Sequence, residues 1–151
     1  MTITLKSLRT RAASFDATVC VDGKRVGHVE NDGRGGCNLY TFETPEGRAA
    51  FDAAVEAERA TRENPGFEFA DQLIQEAMRR YEDAREARKM LRKGYRAVIA
   101  VSLEPITIGD ETVYMARAYI GSGDAERARV SAAAQFPGAP IETIAVDGVI
   151  A

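Results

Sequence analysis

The residues with the most chemical promise in this chain stand together in Asn31-Asp32-Gly33-Arg34-Gly35-Gly36-Cys37-Asn38. Gly33, Gly35 and Gly36 fall within four positions, which calls for special backbone geometry or a close approach by a ligand or another chain. Consecutive N–H groups in such a turn can form a concave nest for an anion, and Arg34 would add positive charge. Cys37 is a candidate nucleophile with His28, the one histidine of the chain, as its base, and amides around Gly35 to Cys37 could serve as an oxyanion site. No third residue at a telling distance would orient that base. Phosphate loops usually run from a strand into a helix and, in the triphosphate version, carry Gly-Lys-Ser/Thr, whereas this loop runs from strand to strand. A structural corner and a recognition surface both remain open.

The other candidates are weaker. Cys20, His28 and Cys37 offer three zinc ligands without the short paired spacings that hold a tetrahedral site, so neither metal nor cofactor is expected. A Cys20–Cys37 disulfide is disfavoured in a reducing compartment. Gly121-Ser122-Gly123 precedes a helix and is well placed for an anion, but it has no lysine partner. Arg88, Lys89, Arg92, Lys93 and Arg96 surround Tyr95 at the end of a long helix. They could touch phosphates or an acidic surface, or simply complement the helix dipole. The carboxylate pairs Glu82-Asp83 and Asp110-Glu111 fall on predicted solvent faces or turns and make no acid–base dyad.

The elements that must position these residues fit one domain spanning 1–151, since 45% hydrophobic and 28% charged residues are ordinary values for a single compact core. Met1 to Lys6 lacks a signal-peptide pattern and no apolar run reaches membrane length, which leads to the expectation of a soluble cytoplasmic protein. A net charge of −3 disfavours direct binding of duplex nucleic acid.

Thr2 to Lys6 alternates as a short strand, and Arg9 to Ala13 reads as a connection. Phe15, Ala17, Val19 and Val21 alternate with Asp16, Thr18 and Cys20, and Asp22-Gly23 signals a hairpin into Arg25 to Glu30. Cys37 to Phe42 follows as a strand. Thr44-Pro45-Glu46 has the cap, proline and acid of a helix start, and Asn64-Pro65-Gly66 ends that helix. A second helix runs from about Phe69 to Lys93, closed by Gly94. Tyr95 to Leu103 and Thr112 to Ile120 read as strands, with Pro105 and Gly109-Asp110 between them. Asp124 caps a helix over Ala125 to Phe136, and Ile141 to Val146 is a last strand. The fold class is α+β in the order β-β-β-α-α-β-β-α-β, a largely antiparallel sheet with a helical hairpin packed on it.

Residues Phe15-Asp16-Ala17-Thr18-Val19, then Val21-Asp22-Gly23-Lys24, Gly27, Val29 and the loop Asn31 to Asn38, resemble an uncharacterised family of small bacteriophage- and plasmid-borne proteins. The resemblance covers about the first quarter of the chain. It departs at Arg9 to Ser14, where family members often carry a Ser-Glu-Glu-Thr-like stretch. It implies a mobile-element setting, in which small acidic α+β proteins act by binding host machinery. Two functions stand side by side. One is a non-enzymatic binding module, such as an inhibitor of a host defence complex acting by protein–protein contact. The other is a small-molecule or nucleotide-binding protein or enzyme using loop 31–38.

Overall fold

The computed structural model describes residues 1–151, the side chains at positions 108 and 111 apart. The chain is α+β, with eight strands in two antiparallel four-stranded sheets and three helices among the described residues. It divides into two compact units, Met1–Tyr81 and Glu82–Ala151.

In the first unit β1 (Ile3–Arg11), β2 (Ser14–Val21), β3 (Lys24–Asn31) and β4 (Leu39–Phe42) form a meander in sequence order. The expected alternation in β2 holds as far as Val19: Phe15, Ala17, Val19 and Val21 are buried as expected, but Cys20, expected on the outer face, is fully buried too, where the pairing with β3 shifts register between Val19 and Cys20. Asp22 and Gly23 take φ of 48° and 79°, the left-handed pair that a tight hairpin needs, and Val21 faces Lys24 across it. β1 runs on through Arg9 to Arg11, where a connection was expected. A bulge at Ser7 (φ 53°) resets the register from Lys6↔Thr18 to Arg9↔Asp16, and Ala12 at φ 51° closes a tight turn without a turn-type residue.

Helix α1 (Pro45–Arg59) begins where the sequence put it, with the Thr44 side chain accepting from the Gly47 N–H at 3.0 Å. Phe51, Ala54 and Val55 from α1 and Phe69, Leu73, Ile74 and Ala77 from the start of α2 (Phe69–Arg92) bury themselves against Val19, Val26 and Val29 of the sheet. The helical hairpin thus covers one face of the meander, as its apolar stripes require.

The second unit is built on β5 (Ala97–Ile108), flanked by β6 (Glu111–Ser122) and β7 (Ile141–Val146), with β8 (Val149–Ile150) outside β7. Ala97 to Val101 are each at most 1% exposed. Val98 and Ala100 pack with Ala87 of α2, and Ile99 and Val101 pack with Ala128 and Ala132 of α3 (Ala125–Gln135). Burial on both faces explains the unbroken apolar run. The strands form two sheets where the sequence pattern suggested one, because β5 already spends both edges on β6 and β7. Pro105 lies inside β5, although it was expected between strands. It sits beyond Val101, the last residue paired with β7, where the strand has a single neighbour and a missing N–H is tolerated. The Asp147-Gly148 turn into β8, with φ of 50° and 83°, repeats the Asp22-Gly23 chemistry and went unread in the sequence.

Candidate functional site

The loop Asn31 to Asn38 joins β3 to β4 and is tied together mainly by its own side chains. Asn31 Oδ1 accepts from the Gly33 N–H at 2.8 Å, and its Nδ2 donates to the Gly36 carbonyl and to Asn38 Oδ1, both at 3.0 Å. Asp32 Oδ1 accepts from the Arg34 N–H at 3.0 Å. These side-chain acceptors already hold two of the N–H groups that an anion nest would offer. Cys37 and Asn38 belong to the loop, because β4 begins only at Leu39.

The glycines differ in role. Gly33 has φ 76°, and a Cβ there would lie 2.7 Å from the Ala13 carbonyl carbon, so this residue lets the loop press against the β1–β2 turn. Gly36 has an ordinary φ and open space around it. The constraint therefore rests on Gly33, with Gly35 adding a second positive φ of 86°.

At its far end the loop is anchored to α2. Asp71 accepts from the Asn38 N–H at 3.2 Å and from the Tyr40 hydroxyl at 2.5 Å. Burial, then the hydrogen bond to Asp71, raises the Tyr40 pKa above the ordinary tyrosine value. Tyr40 also stacks near Phe42 and Phe51 in the core.

Beside the loop lies the face of the first sheet opposite the helices. The register aligns Leu39, Glu30 and Asp16 across β4, β3 and β2, and Arg9 of β1 continues the row with an ion pair to Asp16 at 2.8 Å. Leu39 is 59% exposed. A surface depression of about 500 Å³ opens here, lined by Asp16, Glu30, Asp32, Gly36, Cys37 and Leu39 among others. Arg34 lies 4.0 Å from Asp32, so its charge is offset locally. Asp16 is likewise offset by Arg9, so Glu30 is the carboxylate of this depression that leaves it acidic, a setting unfavourable to phosphate.

The eight loop residues are therefore brought together with an acidic sheet face that the sequence did not single out. Alternation in β2 and β3 was the available signal, but which acids align depends on register. Cys37 is exposed, with its Sγ 4.0 Å from Glu68 Oε1, while His28 lies on β3 between Thr18 and Thr41. Cys20 is buried and, like Cys37, free. Among the described residues no three His, Cys, Asp or Glu side chains converge as a metal site. At the second glycine loop, Asp124 itself takes the Arg127 N–H at 2.8 Å, filling the place an anion would use at the start of α3.

The second unit holds a charged cluster that sequence reasoning missed, since Asp83 was assigned to a solvent face. Asp83 of α2 accepts from Arg117 Nε at 2.9 Å and from the Tyr119 hydroxyl at 2.9 Å, and a second Arg117 nitrogen reaches its other oxygen. Ser102 and Glu142 accept from the remaining guanidinium donors at 3.1 and 2.8 Å. The hydrogen bond to Asp83 dominates in raising the Arg117 pKa, while burial raises that of Tyr119. With its donors shared among four oxygens, this guanidinium ties α2 to the sheet.

No protein-family model matches the chain, and neither a curated protein nor a solved structure matches it. No helix is long and apolar enough to cross a membrane.

Proposed function

We propose that this protein is a non-enzymatic binding module of a bacteriophage or other mobile genetic element, acting by protein–protein contact in the host cytoplasm as an inhibitor of a host defence complex. The observation that supports it is the exposed Leu39 set in the Glu30–Asp16 row beside the hydrogen-bonded loop. An apolar anchor with an acidic surround suits a partner that brings an apolar contact and basic side chains. The loop, braced by Asn31 and Asp71, offers that partner a pre-formed surface at low ordering cost. The resemblance of residues 15–38 supplies the mobile-element setting.

The experiment is affinity capture of the tagged protein from host lysate, read by native mass spectrometry, with a Leu39→Asp/Glu30→Arg variant in parallel. One stoichiometric protein partner, lost in the variant, is expected. A discrete small-molecule mass would overturn the proposal in favour of a ligand site at loop 31–38, and capture insensitive to the variant would remove this surface from it.

A further inference from the structure

The last turns of α2 carry more positive charge than the fold pairs with carboxylates, although Arg92 Nε donates to the Arg88 carbonyl at 3.3 Å. Positions 85–96 hold six basic residues, Arg85, Arg88, Lys89, Arg92, Lys93 and Arg96, against one acid, Glu86. All six are exposed. Glu86 serves Arg85 at 3.6 Å and Lys89 at 2.7 Å, and Arg96 pairs with Asp147 at 3.0 Å. Among the described residues no carboxylate lies within ion-pair distance of Arg88, Arg92 or Lys93. A helix C-terminus presents only about half a negative charge, so it needs less than one of these cations. In a chain of net charge −3, three unpaired cations within six residues are a local reversal of sign.

Tyr95 follows directly. Gly94, at φ 95°, turns the chain out of the helix, and the Tyr95 N–H returns to the Met90 carbonyl at 3.3 Å. The ring lies flat on Gly121 of β6. A Cβ at that glycine would stand 2.6, 2.8 and 2.9 Å from Cγ, Cδ2 and Cδ1, near-equal distances that place it beneath the ring face. Tyr95 nevertheless stays 42% exposed. One face of the ring is thus seated on bare backbone while the residue keeps much of its surface in solvent, and in sequence it directly follows cations that have no carboxylate partner among the described residues.

We infer that Tyr95 with Arg88, Arg92 and Lys93 forms a binding site for single-stranded nucleic acid, the ring stacking an unpaired base while the cations meet its phosphates. Aromatic platforms flanked by basic side chains hold single strands without base-specific hydrogen bonds. A duplex keeps its bases stacked internally and has no free base face for the ring. This site lies in the second unit, and its test is independent of partner capture at loop 31–38.

The test is fluorescence anisotropy of a labelled oligothymidylate of about 12 nucleotides. Three phosphate contacts predict that affinity falls about twentyfold between 50 and 200 mM salt. Tyr95→Leu should weaken binding at least about fivefold. The Arg88→Gln/Arg92→Gln/Lys93→Gln variant should lose the salt dependence and most of the affinity. Circular dichroism shows that each variant has folded, with a cooperative thermal transition lowered only slightly by loss of the ring's seat on Gly121 or of the Arg92 bond to the Arg88 carbonyl. Absence of binding at 50 mM salt would overturn the inference. So would undiminished binding by the triple variant, or binding of a duplex as tight as that of the single strand and indifferent to Tyr95→Leu.

Discussion

Asp83 and Arg117 meet through two hydrogen bonds across 34 residues of sequence, with side chains only 11% and 13% exposed. Such a pair does little when complete, because desolvation offsets much of the attraction, but it is costly to break. Arg117→Met strands Asp83 beside the Tyr119 hydroxyl and should cost about 3 kcal/mol in urea denaturation. A loss under about 1 kcal/mol would mean that the pair behaves as a solvated surface bridge. Replacing both partners, Asp83→Leu with Arg117→Met, should recover most of the loss.

Alkaline pH tests the two tyrosines tied to carboxylates. The pKa values of Tyr40 and Tyr119 are raised in the folded chain, so the fold binds their protons more tightly than the unfolded chain does. Their contribution is full below the ordinary tyrosine value of about 10 and declines as pH rises beyond it. Ultraviolet titration should find two tyrosine ionisations, those of Tyr40 and Tyr119, held back until the chain unfolds. Tyr119→Phe should reduce that number by one and flatten the alkaline fall in stability.

Two glycines of the loop should separate by substitution. Gly33→Ala meets both a positive φ and the Ala13 backbone and is expected to cost about 1–3 kcal/mol. Gly36→Ala should change stability by no more than about 0.5 kcal/mol, since neither φ nor space opposes it. Equal effects at the two positions in chemical denaturation would contradict the assignment of the corner to Gly33.

Asp71 offers a test of what holds the loop shut. Asp71→Asn presents a donor in place of one of the two acceptors now used by Asn38 and Tyr40. Losing one such bond, at about 1.4 kcal/mol, should speed native-state trypsin cleavage after the exposed Arg34 about tenfold. An unchanged rate would show that the Asn31 bonds suffice by themselves.

Local chemistry was legible wherever a few neighbouring residues decide the outcome. Thr44 with Pro45, Asp124, Gly94 and Asp22-Gly23 each satisfy or reverse the backbone within a turn of their own position, and each appears where the sequence put it. Register and strand partnership were not legible. The bulge at Ser7, the passage of β5 through Pro105 and the division into two sheets depend on which distant strand takes each edge. The Asp83 cluster was hidden for the same reason. Its members come from α2, β5, β6 and β7, and no spacing within any one of them announces the others. The loop was visible as a glycine-rich segment, yet its bracing depends on Asn31 and on an aspartate 33 residues beyond Asn38.

Because Ala97 to Val101 are sealed on both faces and paired on both edges, their amides can meet solvent only when the second unit opens as a whole. In a deuterium-exchange time course this short stretch is the clock for opening of the second unit, the last of that unit's signals to decay and the one whose rate tracks that unit's stability. Any segment of the second unit that exchanges sooner does so through a smaller, local fluctuation, and the gap between the two rates measures how far that segment can move while the sheet around β5 stays intact.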